Sequence, residues 1–335
     1  MHIPTRNAML PLIRQADRVL LIGHVAPDGD CIGSLLGMAH ALGALNKQVD
    51  LVCADPVPAQ FDFLTGLGQI MRDSEDEYHL IISLDCSDIQ RMGAAYHPAA
   101  FAPVPLINID HHLTNVHFGT VDWVDIRAAA TAEMVYELIE EMAVPLSHDM
   151  AVCLLTGIVT DTRGFRTPTT TVQTMSIATR LVQAGASLSK VCDLALDRRP
   201  LAVIRLWADV LAEIRVRDRV IWSSITREMR ARHGLTTDDD VGGLASFMLS
   251  APEADVAVVF DEKLSGKVDV GFRSGAGVDV ASVAVQLGGG GHPQASGCTL
   301  TGTLAEVQSR VLSAVAPSLT GQRAPSAEEA FHNGQ

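Results

Sequence analysis

The stretch LLIGHVAPDGDCIGS, residues 20–34, decides how the chain is read. An apolar run, Val19–Ile22, ends on Gly23, and His24, Asp28 and Asp30 follow within seven positions. Behind them Gly33 sits in a segment with helical spacing. The strand RVLLIGH (18–24) shows no apolar–polar alternation, so it reads as a strand buried on both faces. A buried strand that runs into a polar loop and then a helix is the first unit of a parallel α/β sheet.

The pattern repeats outward from there. CIGSLLGMAHALGAL (31–45) is a small-residue helix, QVDLVCA (48–54) a second strand, YHLIISLDCSD (78–88) a third and VPLINIDHH (104–112) a fourth. TAEMVYELIEEMAV (131–144) and HDMAVCLLTGIVTDT (148–162) read as helices. After about residue 190 the pattern changes. A helix is expected over 199–216 and strands over 219–226, 254–262 and 266–274, the last two joined as a hairpin through Lys263–Gly266. GVDVASVAVQLGGGGH (277–292) reads as a helix ending in four glycines, and 304–319 as a final helix.

With 335 residues, two domains of ordinary size are expected. Hydrophobic residues make up 47% and charged residues 19%, enough to build globular cores. No apolar run is long enough to cross a membrane, and the N-terminus has no apolar stretch followed by a small-residue cleavage site. The six cysteines form no C-x-x-C pair, so they read as reduced, buried thiols of a cytoplasmic protein. The net charge of −14 argues against a broad basic face that grips long duplex nucleic acid, and no membrane contact is expected. Small phosphorylated substrates remain compatible with it, because bound cations neutralise an acidic pocket locally.

The acidic residues and histidines fall where the buried strands stop. His24, Asp28 and Asp30 follow the first strand, Asp85 the third, and Asp110, His111 and His112 the fourth; Asp161 ends a helix. In a parallel sheet the carboxyl ends of the strands share one edge, where ligands bind. Taken singly, Asp85 or Asp161 reads as a cap or turn residue, and His24 as a core histidine. Caps do not produce the joint pattern. Carboxylates gathered on one rim repel one another unless a cation sits among them. Two divalent metals answer that need, and oxygen ligands with a few imidazoles suit Mn²⁺ or Mg²⁺ better than zinc. Asp85 is the natural bridge between them. A dinuclear site of this kind suits phosphoester hydrolysis.

These residues resemble the DHH phosphoesterase superfamily: GHVAPDGDCIGS its first motif, SLDCSD its second, NIDHH its third and GIVTDTRGF its fourth. The second half, through GFRSGAGVDVASVAVQLGGGGHPQASG (271–297), resembles the associated DHHA1 domain. The resemblance covers roughly residues 15–320, with the motifs in the family's order. It implies an α/β fold: an N-terminal doubly wound parallel-sheet DHH domain (1–190), a linker and hinge (191–204), a smaller α/β DHHA1 substrate-binding domain (205–320) and a flexible tail (321–335), with the active-site cleft between the domains. It further implies that His24 and Asp28 hold one metal, that Asp30, His111 and Asp161 hold the other, and that Asp85 bridges both. His112 would stabilise charge at the scissile phosphate and Asp110 would orient a neighbouring histidine, so that His112, Asp110 and Asp85 form the catalytic set. Mn²⁺ is the expected metal, with Mg²⁺ or Co²⁺ as substitutes.

The chain resembles the compact two-domain nanoRNase and pAp phosphatase group, without the OB-like domain of RecJ-type exonucleases or the membrane segment of cyclic-dinucleotide phosphodiesterases. The expected function is therefore hydrolysis of very short RNA, including the dinucleotides pApA and pGpG, to mononucleotides, with pAp as a second substrate. A cyclic di-AMP or pApA phosphodiesterase is the alternative. A non-catalytic nucleotide-binding protein would have a broken ligand set, whereas all six ligands are present. Many relatives are dimers, which makes a homodimer an expectation here. Substrate would be read by Arg273, Ser274, Gly289, Gly290, Gly291 and His292: the glycines let a backbone approach a phosphate closely, and Arg273 suits a bidentate phosphate contact.

Overall fold

The structure, a computed structural model, describes residues 3–316 except 75, 238, 240 and 276. It forms two compact units that divide between Arg198 and Arg199. The expected tail, 321–335, and the last residues of the expected 304–319 helix lie outside the described residues. The segment expected as a linker, 191–204, is mostly helical.

In the first unit the chain runs α1 (Ile3–Gln15), β1 (Arg18–Ile22), α2 (Gly29–Ala44), β2 (Gln48–Val52), β3 (Ile70–Met71), β4 (Leu80–Leu84), α3 (Pro98–Phe101), β5 (Leu106–Asp110), β6 (Val121–Val124), α4 (Thr131–Glu141), α5 (His148–Asp161), α6 (Val172–Gln183) and α7 (Leu188–Cys192). The strands form one parallel sheet in the order β3-β2-β1-β4-β5-β6. This is the doubly wound order, and it reverses between β1 and β4. The missing alternation in β1 has a direct cause. Val19 and Leu21 enter the core beneath α1, α2, α4 and α5, while Leu20 and Ile22 enter a second core with Tyr78, Met92 and Phe101. Short turns and α3 cover that second face, so the two layers are unequal.

The helix expected over 31–45 begins two residues earlier. The carboxylate of Asp28 accepts from the N–H groups of Asp30 and Cys31, both at 3.1 Å, and caps α2. Glycines on α2 let it lie directly on α5. A Cβ on Gly33 would fall 2.4 Å from the carbonyl oxygen of Cys153, and one on Gly29 2.4 Å from the Thr160 hydroxyl. The two helices therefore pack backbone to backbone, and each brings a metal-ligand candidate to the same end of the sheet.

The second unit contains α8 (Leu201–Ala212), β7 (Arg215–Arg217), β8 (Val220–Ile225), α9 (Arg227–Arg232), α10 (Leu244–Met248), β9 (Val256–Glu262), β10 (Lys267–Ser274), α11 (Ala281–Gln286), β11 (Gly290–His292), β12 (Ala295–Thr301) and α12 (Leu304–Val315). Its sheet has the order β11-β12-β10-β9-β8-β7, with β8 and β9 parallel and every other pair antiparallel. The hairpin through 263–266 forms as expected.

Two readings need correction. The 199–216 helix stops at Ala212, and its last residues become β7. The 277–292 helix shrinks to α11, and Gly290 and Gly291 instead enter β11, an edge strand paired with β12. Gly288 and Gly291 have φ of +86° and +133°, which a helix does not tolerate. A Cβ on Gly289 would fall 2.1 Å from the carbonyl oxygen of Gly297. The glycine run lets strands meet closely.

Candidate metal centre

Each candidate ligand is aimed by a local constraint. His24 follows β1 by two residues. Its Nδ1 lies 2.7 Å from the Val25 carbonyl, which turns Nε2 toward Asp85 Oδ2 at 3.4 Å and Asp28 Oδ1 at 3.7 Å. Asp85 follows β4 with φ of +64°, an uncommon left-handed backbone, and its N–H donates to the Ile109 carbonyl at 3.0 Å. That bend throws the carboxylate back over the strand ends. His111 sets Nδ1 3.2 Å from the Ala128 carbonyl. Its Nε2 then stands 3.8 Å from Asp30 Oδ2, 3.7 Å from Asp85 Oδ1 and 3.7 Å from Asp161 Oδ2. A carbonyl on one ring nitrogen fixes the tautomer that presents a lone pair on the other. His112 pairs through Nδ1 with Asp110 Oδ1 at 2.7 Å.

Asp85 is common to three close groups: His24–Asp28–Asp85, Asp30–Asp85–His111 and Asp85–Asp110–His112. Its Oδ2 faces the first group and its Oδ1 the second. Asp161, brought by the end of α5, approaches through His111. The separations of 3.7–3.8 Å around His111 are too long for hydrogen bonds and suit donor atoms that share one ion. The donor set is oxygen-rich with single imidazoles and fits a pair of Mn²⁺- or Mg²⁺-type ions.

The electrostatics agree. Burial pushes the Asp30 carboxyl well above its usual range, and Asp85, Asp161 and Asp28 push it further. Burial raises Asp161 to about 6; His111 opposes this, while Asp28 and Asp85 reinforce it. Asp85 goes the other way. Burial would raise it, but the bond from His24 and the neighbouring His112 hold it well below the ordinary carboxylate range. His112 rises to about 9 against its own burial, through the bond to Asp110 and the nearby Asp85 charge. A buried group of carboxylates that resists full ionisation is a site that a cation would stabilise.

Thr131 is missed by sequence reasoning. The first residue of α4, it donates its hydroxyl to Asp85 Oδ1 at 2.8 Å and its backbone N–H to Asp30 Oδ2 at 2.6 Å. Ala132 N–H adds a bond of 2.9 Å to Asp30 Oδ1. The N-cap position of α4 is Ala130, which has no side-chain acceptor. Asp30, about a hundred residues earlier, caps the helix instead and gains from its dipole. The one signal in the sequence was a helix start, AAATAE, without a carboxylate or amide cap.

In the second unit Arg273 lies on β10, and His292 on β11 occupies the same row, both registered with Ala295. Beside Arg273 is a cavity of about 360 Å³ whose walls include Lys263, Asp269 and Gly271. Ser274 is buried, and its hydroxyl donates to the Val278 carbonyl at 2.6 Å. It shapes the turn after β10. Gly290 has open space above its Cα, whereas Gly289 and Gly291 are tied to the close passage of β12.

Comparison with known proteins decides the family. The DHH family N-terminal domain matches residues 18–158, and the DHHA1 domain matches residues 219–317. A bifunctional oligoribonuclease and PAP phosphatase NrnA of Thermus thermophilus is 36% identical over 318 residues, 90% of each chain. This chain belongs to the DHH family. A Bacillus subtilis protein of the same description is 26% identical over 298 residues, covering 88% of this chain and 93% of that one. A crystal structure of an exopolyphosphatase-related protein from Bacteroides fragilis superposes with a TM-score of 0.86 at 25% identity, covering 94% of this DHH chain and 97% of its own. Among the described residues, no helix of this DHH protein is long and apolar enough to cross a membrane.

Proposed function

We propose that this protein is a phosphoesterase that hydrolyses very short oligoribonucleotides, such as pApA and pGpG, to mononucleotides, and that it removes the 3′-phosphate of pAp. The observation that carries the reading is the convergence of three ligand groups on Asp85. Support comes from relatives described as oligoribonucleases and PAP phosphatases. His24 and Asp28 would hold one divalent cation, Asp30, His111 and Asp161 the other, and Asp85 both, with Mn²⁺ as the working metal. Bound there, the pair would polarise the phosphoryl group and supply a nucleophilic water at neutral pH.

The chain's own residues do the rest. Thr131 holds the Asp85 carboxylate in its bridging orientation, and Asp110 holds His112 by Nδ1. His112, kept protonated by those carboxylates, stabilises the charge that develops on the phosphoryl oxygens. Arg273 and His292 take a terminal phosphate of the substrate, which makes them binding residues. The net charge of −14 disfavours long duplexes. The free cysteines fit a reducing, cytoplasmic setting, and a homodimer is the proposed assembly.

The test is a panel of pApA, pGpG, pAp, cyclic di-AMP and longer RNA with added Mn²⁺. Dinucleotides and pAp are expected to turn over fastest, and Asp85→Ala is expected to abolish turnover without unfolding the protein. Preference for cyclic di-AMP would move the reading to second-messenger turnover. Activity retained by Asp85→Ala would end the two-metal account.

A further inference from the structure

One amide ties the turn after the paired histidines to the neighbouring strand end. Asn115 Nδ2 donates to Asp110 Oδ2 at 2.6 Å and to the Cys86 carbonyl at 3.1 Å. Its Oδ1 accepts from the His117 N–H at 2.8 Å and from Asn108 Nδ2 at 3.3 Å. A backbone N–H can only donate, so the orientation of the amide is fixed: oxygen toward His117, both N–H bonds toward Asp110 and Cys86. Asp110 is completely buried, and its side chain has one donor per oxygen, Asn115 on Oδ2 and His112 on Oδ1. A buried carboxylate oxygen that loses its donor is costly, and the carboxylate turns to find another. The turn itself has an independent fastening, because Val116 N–H donates to the Ser87 carbonyl at 3.0 Å. The turn therefore keeps this fastening when the Asn115 amide is replaced.

We infer that Asn115 is a positioning residue for phosphoester hydrolysis, acting through Asp110 to fix the plane of the His112 ring and the bond that its Nδ1–H makes. The inference rests on the function proposed above. With Asn115 in place, Asp110 Oδ1 is held toward Nδ1–H, and the other ring nitrogen is the one presented to substrate. Without it, the carboxylate rotates and the ring follows. The isosteric change Asn115→Asp is the harsher one, because it faces a second carboxylate toward Asp110 and toward a carbonyl oxygen.

The test is a double-mutant cycle of Asn115→Ala and Asn115→Asp with His112→Ala, measured on pApA and on the generic diester bis(p-nitrophenyl) phosphate. Each Asn115 variant is expected to lower kcat about 10- to 100-fold, the range seen when an orienting partner is removed. KM should stay within about twofold, since the group acts on turnover rather than binding. On the His112→Ala background the same changes should cost almost nothing, because their effect passes through the ring. An equal loss on both backgrounds, or a change confined to KM, would overturn the inference. If bis(p-nitrophenyl) phosphate is cleaved and pApA is not, the substrate reading fails while the cycle still judges Asn115. A readout independent of turnover is the ¹⁵N NMR signature of His112 in the Mg²⁺-loaded protein. A strongly hydrogen-bonded Nδ1–H is expected in the parent and a weakened, shifted one in Asn115→Asp; identical spectra would refute the role of Asn115.

Discussion

Replacing Gly33 by alanine tests whether the spacing of two helices sets the metal centre. The new Cβ would fall 2.4 Å from the Cys153 carbonyl oxygen, 2.9 Å from the Gly157 nitrogen and 3.2 Å from its Cα. All three are backbone atoms of α5 and cannot rotate aside. Ordinary contact needs α2 and α5 to part by roughly 1 Å at that point. α2 carries Asp30, with its cap Asp28, and α5 ends on Asp161, so the opening moves ligands apart as well as disturbing the core. Overpacking of this kind costs about 1–3 kcal/mol. For a unit of this size that is a fall in Tm of about 3–10 °C. Differential scanning calorimetry gives the stability, and Mn²⁺ titration by isothermal calorimetry gives the loss of affinity. Gly43→Ala, on the same helix, is the control. Its Cβ would meet nothing within 4 Å, and the helix gains up to about 1 kcal/mol. Opposite signs for the two substitutions are expected. Equal Tm values, or parental Mn²⁺ affinity in Gly33→Ala, would refute the argument from helix spacing.

Three further outcomes are expected. Thr131→Val keeps the N–H to Asp30 but loses the hydroxyl on Asp85, a bond to a charged group, and should lower kcat/KM about 10- to 100-fold; parental kinetics would remove Thr131 from the site. In the metal-free protein, folded Asp161 holds a proton up to about pH 6 that the unfolded chain releases near 4, so the folded state binds more protons across that window and stability falls as pH rises through it. Asp30 is shifted in the same direction and adds to the loss. Mn²⁺ should therefore raise Tm more at pH 7 than at pH 5, and a pH-independent rise, measured by differential scanning fluorimetry, would contradict the cation-for-proton exchange. Arg273→Ala should raise KM for pApA about tenfold with a smaller change in kcat, and steady-state kinetics with unchanged KM would exclude it from binding.

The sequence by itself determined the parallel sheet and the candidate ligands. Strands such as LIISL and LINID are buried at every position, which only a sheet covered on both faces allows. His24, Asp85, Asp110 and His111 lie at or just past the ends of such strands, so strand direction alone sends them to one rim. Other elements were not legible. The helix α6 opens with threonines and valine and has a T-x-x-T capping box in place of a carboxylate one, and β6 is a short edge strand of four residues. Gly288 ends α11 with a φ of +86° and with the Gly289 N–H on the Ala284 carbonyl, but nothing in the segment itself reveals the strand that the glycines behind it must pass. Tertiary structure alone decided the cap that Asp30 gives α4, the grip of Thr131 on Asp85 and the amide that links Asn115 to Asp110 and Cys86. Those bonds join groups from separate segments, and the satisfaction of a buried polar atom depends on which atoms surround it, not on its neighbours along the chain.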